Sequence, residues 1–204
     1  MKKNPLLEVM VSIILDVQKK KEQRYIWDNC DWEQIGNLTP SDVGLSGELF
    51  ISALCNLSLI ESDICGKKTK KNKVSGDGTI KKRSCEIKTS RFSCGKNQQF
   101  SHELGPTPWD TDFMIFLDIS PSMVFISIFP NFSEAFYRKS ASDPSFKCEP
   151  VFSTTSFSHQ KRKGSFSISL GIRSLERSKF TFKAHKDNMD FHAFKKFVDS
   201  IIKS

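Results

Sequence analysis

The stretch "DGTIKKRSCEIKTSR", residues 77–91, decides how the rest of the chain is read. A two-residue turn at Lys81 and Lys82 folds it into a hairpin in which Asp77 stands opposite Glu86, and directly opposed side chains lie about 5 Å apart. Side chains alternate along a strand, so Glu86 and Lys88 share one face. Ile87 points to the other, where burial against a helix would fix the register. Two opposed carboxylates repel each other unless one is protonated or a cation lies between them, and hard oxygen ligands with room for water favour Mg²⁺. Asp77 and Glu86 are therefore the candidate metal ligands. Such an ion polarises a phosphodiester oxygen and acidifies a bound water, while the Lys88 ammonium stabilises the hydroxide or the charge developing on phosphorus. The chemistry implied is hydrolysis of nucleic acid.

Upstream of the hairpin, Asn4 and Pro5 start a first helix that runs to about Arg24 on Leu6, Leu7, Met10, Ile13, Ile14 and Val17. After an irregular segment anchored by Trp27, Trp32 and Ile35, Ser46 caps a second helix through about Ser58. Its apolar set is Leu45, Leu49, Ala53, Leu54 and Leu57, with Glu48 in the first turn. "LSLIESDIC" (57–65) reads as a strand, "GKKTKKNK" (66–73) as a basic loop and "GKNQQFSHELGPTPWD" (95–110) as a short helix and loop. "DFMIFLDIS" and "MVFISIFP" are almost continuously hydrophobic, as suits central strands covered on both faces. "GSFSISLGI" and "KFTFKAH" alternate with period two, and the segment from Asp187 onward closes as an amphipathic helix. The sequence thus predicts an α/β protein with a central mixed β-sheet flanked by helices, in a single domain over 1–204.

The pattern Asp77-x8-Glu86-x-Lys88, with a helix bearing an acid upstream and strands downstream, resembles the PD-(D/E)xK nuclease superfamily, type II restriction endonucleases in particular. The resemblance covers about residues 45–130 and implies a restriction-endonuclease-like catalytic core there, with 131–204 supplying recognition or dimerisation elements. It implies that Asp77 and Glu86 divide the metal between them, that Lys88 sits by the attacking water, and that Glu48 adds a further ligand from the upstream helix. It also implies duplex DNA as substrate, 5′-phosphate and 3′-hydroxyl ends, and a cognate DNA methyltransferase in the same system. Two departures stand out. Gly76 occupies the place of the family's Pro, and the eight-residue gap is at the short end of the family's range. Asp63, in "ESDIC", is an alternative first acid with a longer excursion to Glu86. The ordinary readings are a turn pair for Asp77 with Gly78, a solvated strand face for Glu86 with Lys88, and dipole stabilisation for Glu48.

Composition agrees with a polyanionic partner, because 31 Lys and Arg against 23 Asp and Glu give a net charge of +8. The lysine-rich run 67–73 and Lys161, Arg162 and Lys163 in "SHQKRKG" suit phosphate contacts. Arg91, Lys96, Gln98, Gln99, His102, His159 and Arg173 are the candidates for further DNA contact, some of them to base edges in the major groove. A homodimer would read a palindrome. The six cysteines form no CxxC pair, and the four histidines form no HxH or HExxH spacing, so a zinc hydrolase is not indicated. No nucleotide-binding glycine loop appears. Glu8 and Asp16 interrupt the apolar opening, no small-x-small cleavage site follows, and a cytoplasmic protein with reduced thiols is expected. Two other functions remain open on the sequence: a junction-resolving or repair nuclease of the same fold, and a noncatalytic nucleic-acid-binding module.

Overall fold

In "NLTPSD" the Thr39 hydroxyl accepts the Asp42 N–H at 3.2 Å and donates to the Asp42 carboxylate at 2.6 Å, while Pro40 takes the first helical position. These signals start helix α1 at Pro40 rather than after Ser46, and it runs to Leu57. The computed structural model describes residues 26–64, 76–92, 99–106, 111–130, 132, 165–185 and 187–203, together with Met10, Ile13 and Ile14. Those three are helical, and the rest of the expected first helix lies outside the described residues. A 3₁₀ turn, Glu33–Asn37, precedes α1.

The strands are β1 (Ser62–Ile64), β2 (Gly78–Ile80), β3 (Arg83–Arg91), β4 (Gln99–Pro106), β5 (Phe113–Ile119), β6 (Met123–Pro130), β7 (Ser165–Gly171) and β8 (Thr181–His185). A short helix α2 (Ile172–Arg177) joins β7 to β8, and α3 (Phe191–Ile201) follows, capped by the Asp190 side chain on the Ala193 N–H. Six strands form one sheet in the order β1-β2-β3-β5-β6-β8, and β4 pairs with β7 in a separate two-stranded ribbon. The β3–β5 pair is parallel and the others are antiparallel. The protein is therefore a mixed α/β fold with a six-stranded sheet packed against helices.

The expected helix and loop at 95–110 gives way to strand β4. Phe100, His102 and Leu104 are buried while Ser101 and Glu103 are exposed, a period of two that suits a strand and not a helix. The strand sits inside the crossover that the parallel β3–β5 pair requires.

Strand β5 is buried along its whole length, as its continuous apolar text predicts. Its odd-numbered residues, Phe113, Ile115, Leu117 and Ile119, join Ile51 and Leu54 of α1 and Phe194 and Val198 of α3 in one core. Met114 and Phe116 point to the other side and join Phe100, Phe125, Phe129, Phe132, Ile168 and Leu170 beneath the ribbon. Neighbouring rings there meet edge to face, as between Phe116 and Phe129.

Helix α1 presents a different face from the one its leucines suggest. Val43, Gly47, Ile51, Leu54 and Cys55 are buried, whereas Leu45, Leu49 and Leu57 are exposed. The reason is Gly47: a Cβ there would lie 1.8 Å from Thr89 Oγ1, so the missing side chain is what lets the helix approach β3. The β2–β3 turn falls on Lys81 and Lys82 as expected, with φ of +50° and +64°, the left-handed geometry that a tight two-residue hairpin needs. Lys81 is tied down by its ammonium, which bonds Asp199 at 2.7 Å and the Ile202 carbonyl at 3.1 Å at the end of α3.

Gly47→Ala should lower unfolding free energy by about 1–3 kcal/mol or more through overpacking. Gly44→Ala, on the same helix with nothing within 4 Å of its added methyl, should raise it by about 0.4–1 kcal/mol. Urea denaturation of the two variants reads the contrast. Lys82→Gly, at an exposed left-handed position, should also stabilise, by roughly 0.5–1 kcal/mol.

Candidate active site

The ladder between β2 and β3 covers Arg83 to Cys85 and stops at Gly78. Beyond it Asp77 substitutes a side chain for backbone pairing. Its Oδ2 accepts the Ile87 N–H at 2.8 Å, and its own N–H donates to the Cys85 carbonyl at 2.8 Å. The amide it grips belongs to Ile87, the residue between Glu86 and Lys88 on β3.

The glycines on either side make this bend possible. A Cβ on Gly76 would lie 2.3 Å from the Cys85 carbonyl oxygen, and one on Gly78 would lie 2.2 Å from that of Asp63. Gly76 has a φ of +87°, which the ring of a proline cannot adopt.

Glu86 and Lys88 are half-buried, with side chains 23% and 25% exposed, and the Lys88 ammonium donates to Glu86 Oε1 in an ion pair. Between them Ile87 is buried among the residues that pack on α1, so the alternation of the strand holds as expected. On the same side as Ile87, burial pushes the Cys85 thiol strongly up, and the charges of Asp77, Cys55, Glu86 and Glu48 push it further. All three candidate carboxylates thus act on one buried sulfur. Cys55 is likewise pushed up to about 11 by burial, so with no metal beside them both thiols stay protonated at neutral pH. Cys30, Cys55 and Cys85 are free thiols.

Glu48 is half-buried on α1, one residue after the close contact of Gly47 with Thr89. Among the described residues, no three His, Cys, Asp or Glu side chains gather closely enough to hold a metal between them. Glu48 does not complete a trio with Asp77 and Glu86. Asp63 lies on β1 opposite Thr79, with β2 between it and β3, whereas Asp77 touches β3 directly.

The other candidates are scattered. Arg91 turns its guanidinium inward to the carbonyls of Ile35 and Leu38, where it braces the 3₁₀ turn against β3. Gln99 is half-buried at the start of β4 opposite Gly171, and exposed Arg173 follows two residues later on α2, so these two share one end of the ribbon. His102, expected at a DNA-facing surface, is only 3% exposed and bonds Asp118 inside the protein. Lys96, Gln98, His159, Lys161, Arg162, Lys163 and the run 67–73 lie outside the described residues. Asp118 escaped notice in the sequence, although a lone acid inside "DFMIFLDIS" is a signal of a buried polar pair. No described helix is long and apolar enough to cross a membrane.

Asp77→Ala should leave the Ile87 N–H without its acceptor and cost about 1–3 kcal/mol of stability, whereas Asp77→Asn keeps an acceptor and should cost less than half as much. Urea melts of the two variants check the anchoring role independently of any activity. Comparison with known proteins finds no matching family, no matching curated protein and no matching solved structure.

Proposed function

We propose that this chain is a Mg²⁺-dependent, sequence-specific endonuclease of restriction type that hydrolyses double-stranded DNA to 5′-phosphate and 3′-hydroxyl ends. The observation that carries the reading is the hydrogen bond from the Ile87 N–H to the Asp77 carboxylate, which anchors one acid at the amide between Glu86 and Lys88. The donor set fits the ion: hard carboxylate oxygens suit Mg²⁺, which takes one or two carboxylates and fills its shell with water and phosphate oxygens. Asp77 and Glu86 would hold it. When bound, it supplies charge neutralisation at the scissile phosphate and acidifies a water.

The chain's own residues do the rest. The Ile87 N–H orients Asp77, and burial of Ile87 fixes the register that keeps Glu86 and Lys88 on one face. Lys88, held against Glu86, keeps an ammonium beside the place where negative charge develops on phosphorus. Gln99 and Arg173 offer forked donors to base edges from the end of the ribbon. A homodimer would present this apparatus twice to a palindromic site, and a cognate methyltransferase would protect that site.

A second reading, a noncatalytic nucleic-acid-binding module, is favoured by two observations: Lys88 already neutralises Glu86, and no described trio of ligands stands ready. Incubation with a random duplex library and Mg²⁺ separates the two. Discrete fragments are expected, and Glu86→Ala or Lys88→Ala should slow cleavage by about 10²–10³-fold while DNA binding in Ca²⁺ survives. Wild-type inertness with retained binding supports the module, and nicking governed by DNA shape supports a junction-resolving enzyme of the same fold.

A further inference from the structure

Asp118 is the only charged residue of the buried strand β5. Its Oδ1 lies 2.7 Å from His102 Nε2 on β4, and both side chains are 0% exposed. Among the described residues, neither His102 Nδ1 nor Asp118 Oδ2 finds a hydrogen-bond partner. The surroundings are apolar: the imidazole leans on the Phe116 ring at 4.9 Å, and Phe100 and Phe125 belong to the same cluster. Next to the pair, the Ser101 N–H donates to Ser90 Oγ on β3 at 3.1 Å, so these contacts fasten the ribbon to the central sheet.

We infer that His102 and Asp118 form a proton-holding latch that docks the β4–β7 ribbon onto the central sheet, and that the docking loosens as pH rises above neutrality. A carboxylate with one unpaired oxygen, sealed among phenylalanines, is a costly buried anion. The pair avoids that cost by keeping one proton between its two members, as imidazolium with carboxylate or imidazole with carboxylic acid, neutral overall in either form. Burial pushes the Asp118 carboxyl up, and the His102 charge is what opposes it.

Among the described residues, other titratable groups stand apart. On β3 the same face carries Glu86 and Lys88, which pair with each other. Strands β6 and β7 contain no titratable side chain, Glu103 on β4 is exposed, and Arg173, Glu176 and Arg177 on α2 face solvent.

The sign follows from proton counting. Once the ribbon lifts and water reaches the pair, an exposed carboxyl and imidazole hold no shared proton above about pH 6.5. The docked state then binds one proton more than the open state, so opening grows about tenfold per pH unit until the docked pair itself lets go. Between roughly pH 4 and 6.5 both states hold one proton and docking is at its firmest, and in stronger acid the open state takes a second and docking weakens again. The ribbon carries Gln99 and leads into Arg173, so its docking sets where both stand relative to β3. The latch is independent of the nuclease reading.

Hydrogen exchange of the full chain at pH 6 and pH 9, with the intrinsic base-catalysed rise divided out, tests it. Amides of β4 and β7 should lose protection by about tenfold or more across the interval, while those of β5 and β6 hold theirs. Asp118→Asn, which removes the shared proton, should abolish this loss of protection with rising pH. Equal corrected protection in the wild type at both values, or a dependence that persists in Asp118→Asn, overturns the proposal. Should that variant not fold, nitrogen chemical shifts of His102 in the wild type decide. An unchanged protonation state through the neutral range supports the latch, and titration like a solvent-exposed imidazole overturns it.

Discussion

The parallel pairing of β3 with β5 is the constraint on which the rest of the fold rests. Two adjacent parallel strands cannot be joined by a tight turn, so the chain between Phe92 and Thr111 must travel back across the sheet. In doing so it lays β4 over the face that β5 turns toward Met114 and Phe116. The pairing also explains why β5 can be apolar without interruption: one face meets α1 and α3, the other meets the ribbon, and water reaches neither. The single exception, Asp118, must then find its partner inside, and His102 supplies it.

On the opposite edge of β3 the constraint works in reverse. β2 is only three residues long, so the backbone of β3 past Cys85 needs another acceptor, and Asp77 provides one for Ile87. A structural hydrogen bond and the proposed catalytic constellation thereby share one contact. The carboxylate is placed by the need to satisfy an amide, and the Glu-x-Lys triplet is placed by burial of the isoleucine between its two charges.

Much of this was readable from residues alone. The turn at Lys81 and Lys82 and the buried strands 113–119 and 123–130 all followed from alternation and hydrophobic runs, which report local geometry directly. The inner face of α1 did not follow. Its leucines drew attention to the wrong stripe, because the decisive residue was a glycine whose value lies in a contact forty positions downstream. The strand at 99–106 was hidden because its partner, β7, begins roughly sixty residues further along the chain and no local pattern announces it. Arg91 and His102 looked like surface donors, yet their partners are carbonyls and a carboxylate that only tertiary structure brings near.

The grip of Lys81 on the end of α3 has a consequence for how the chain reaches its final form. The lysine sits at a backbone angle that side chains resist, and its ammonium closes a contact with Ile202 across 121 positions of sequence. This brace on the hairpin bearing Asp77 and Glu86 therefore forms only once the last helix has been made and docked. Assembly of this region is a late, long-range event, and a nascent or truncated chain would carry the same charges on a loose ribbon.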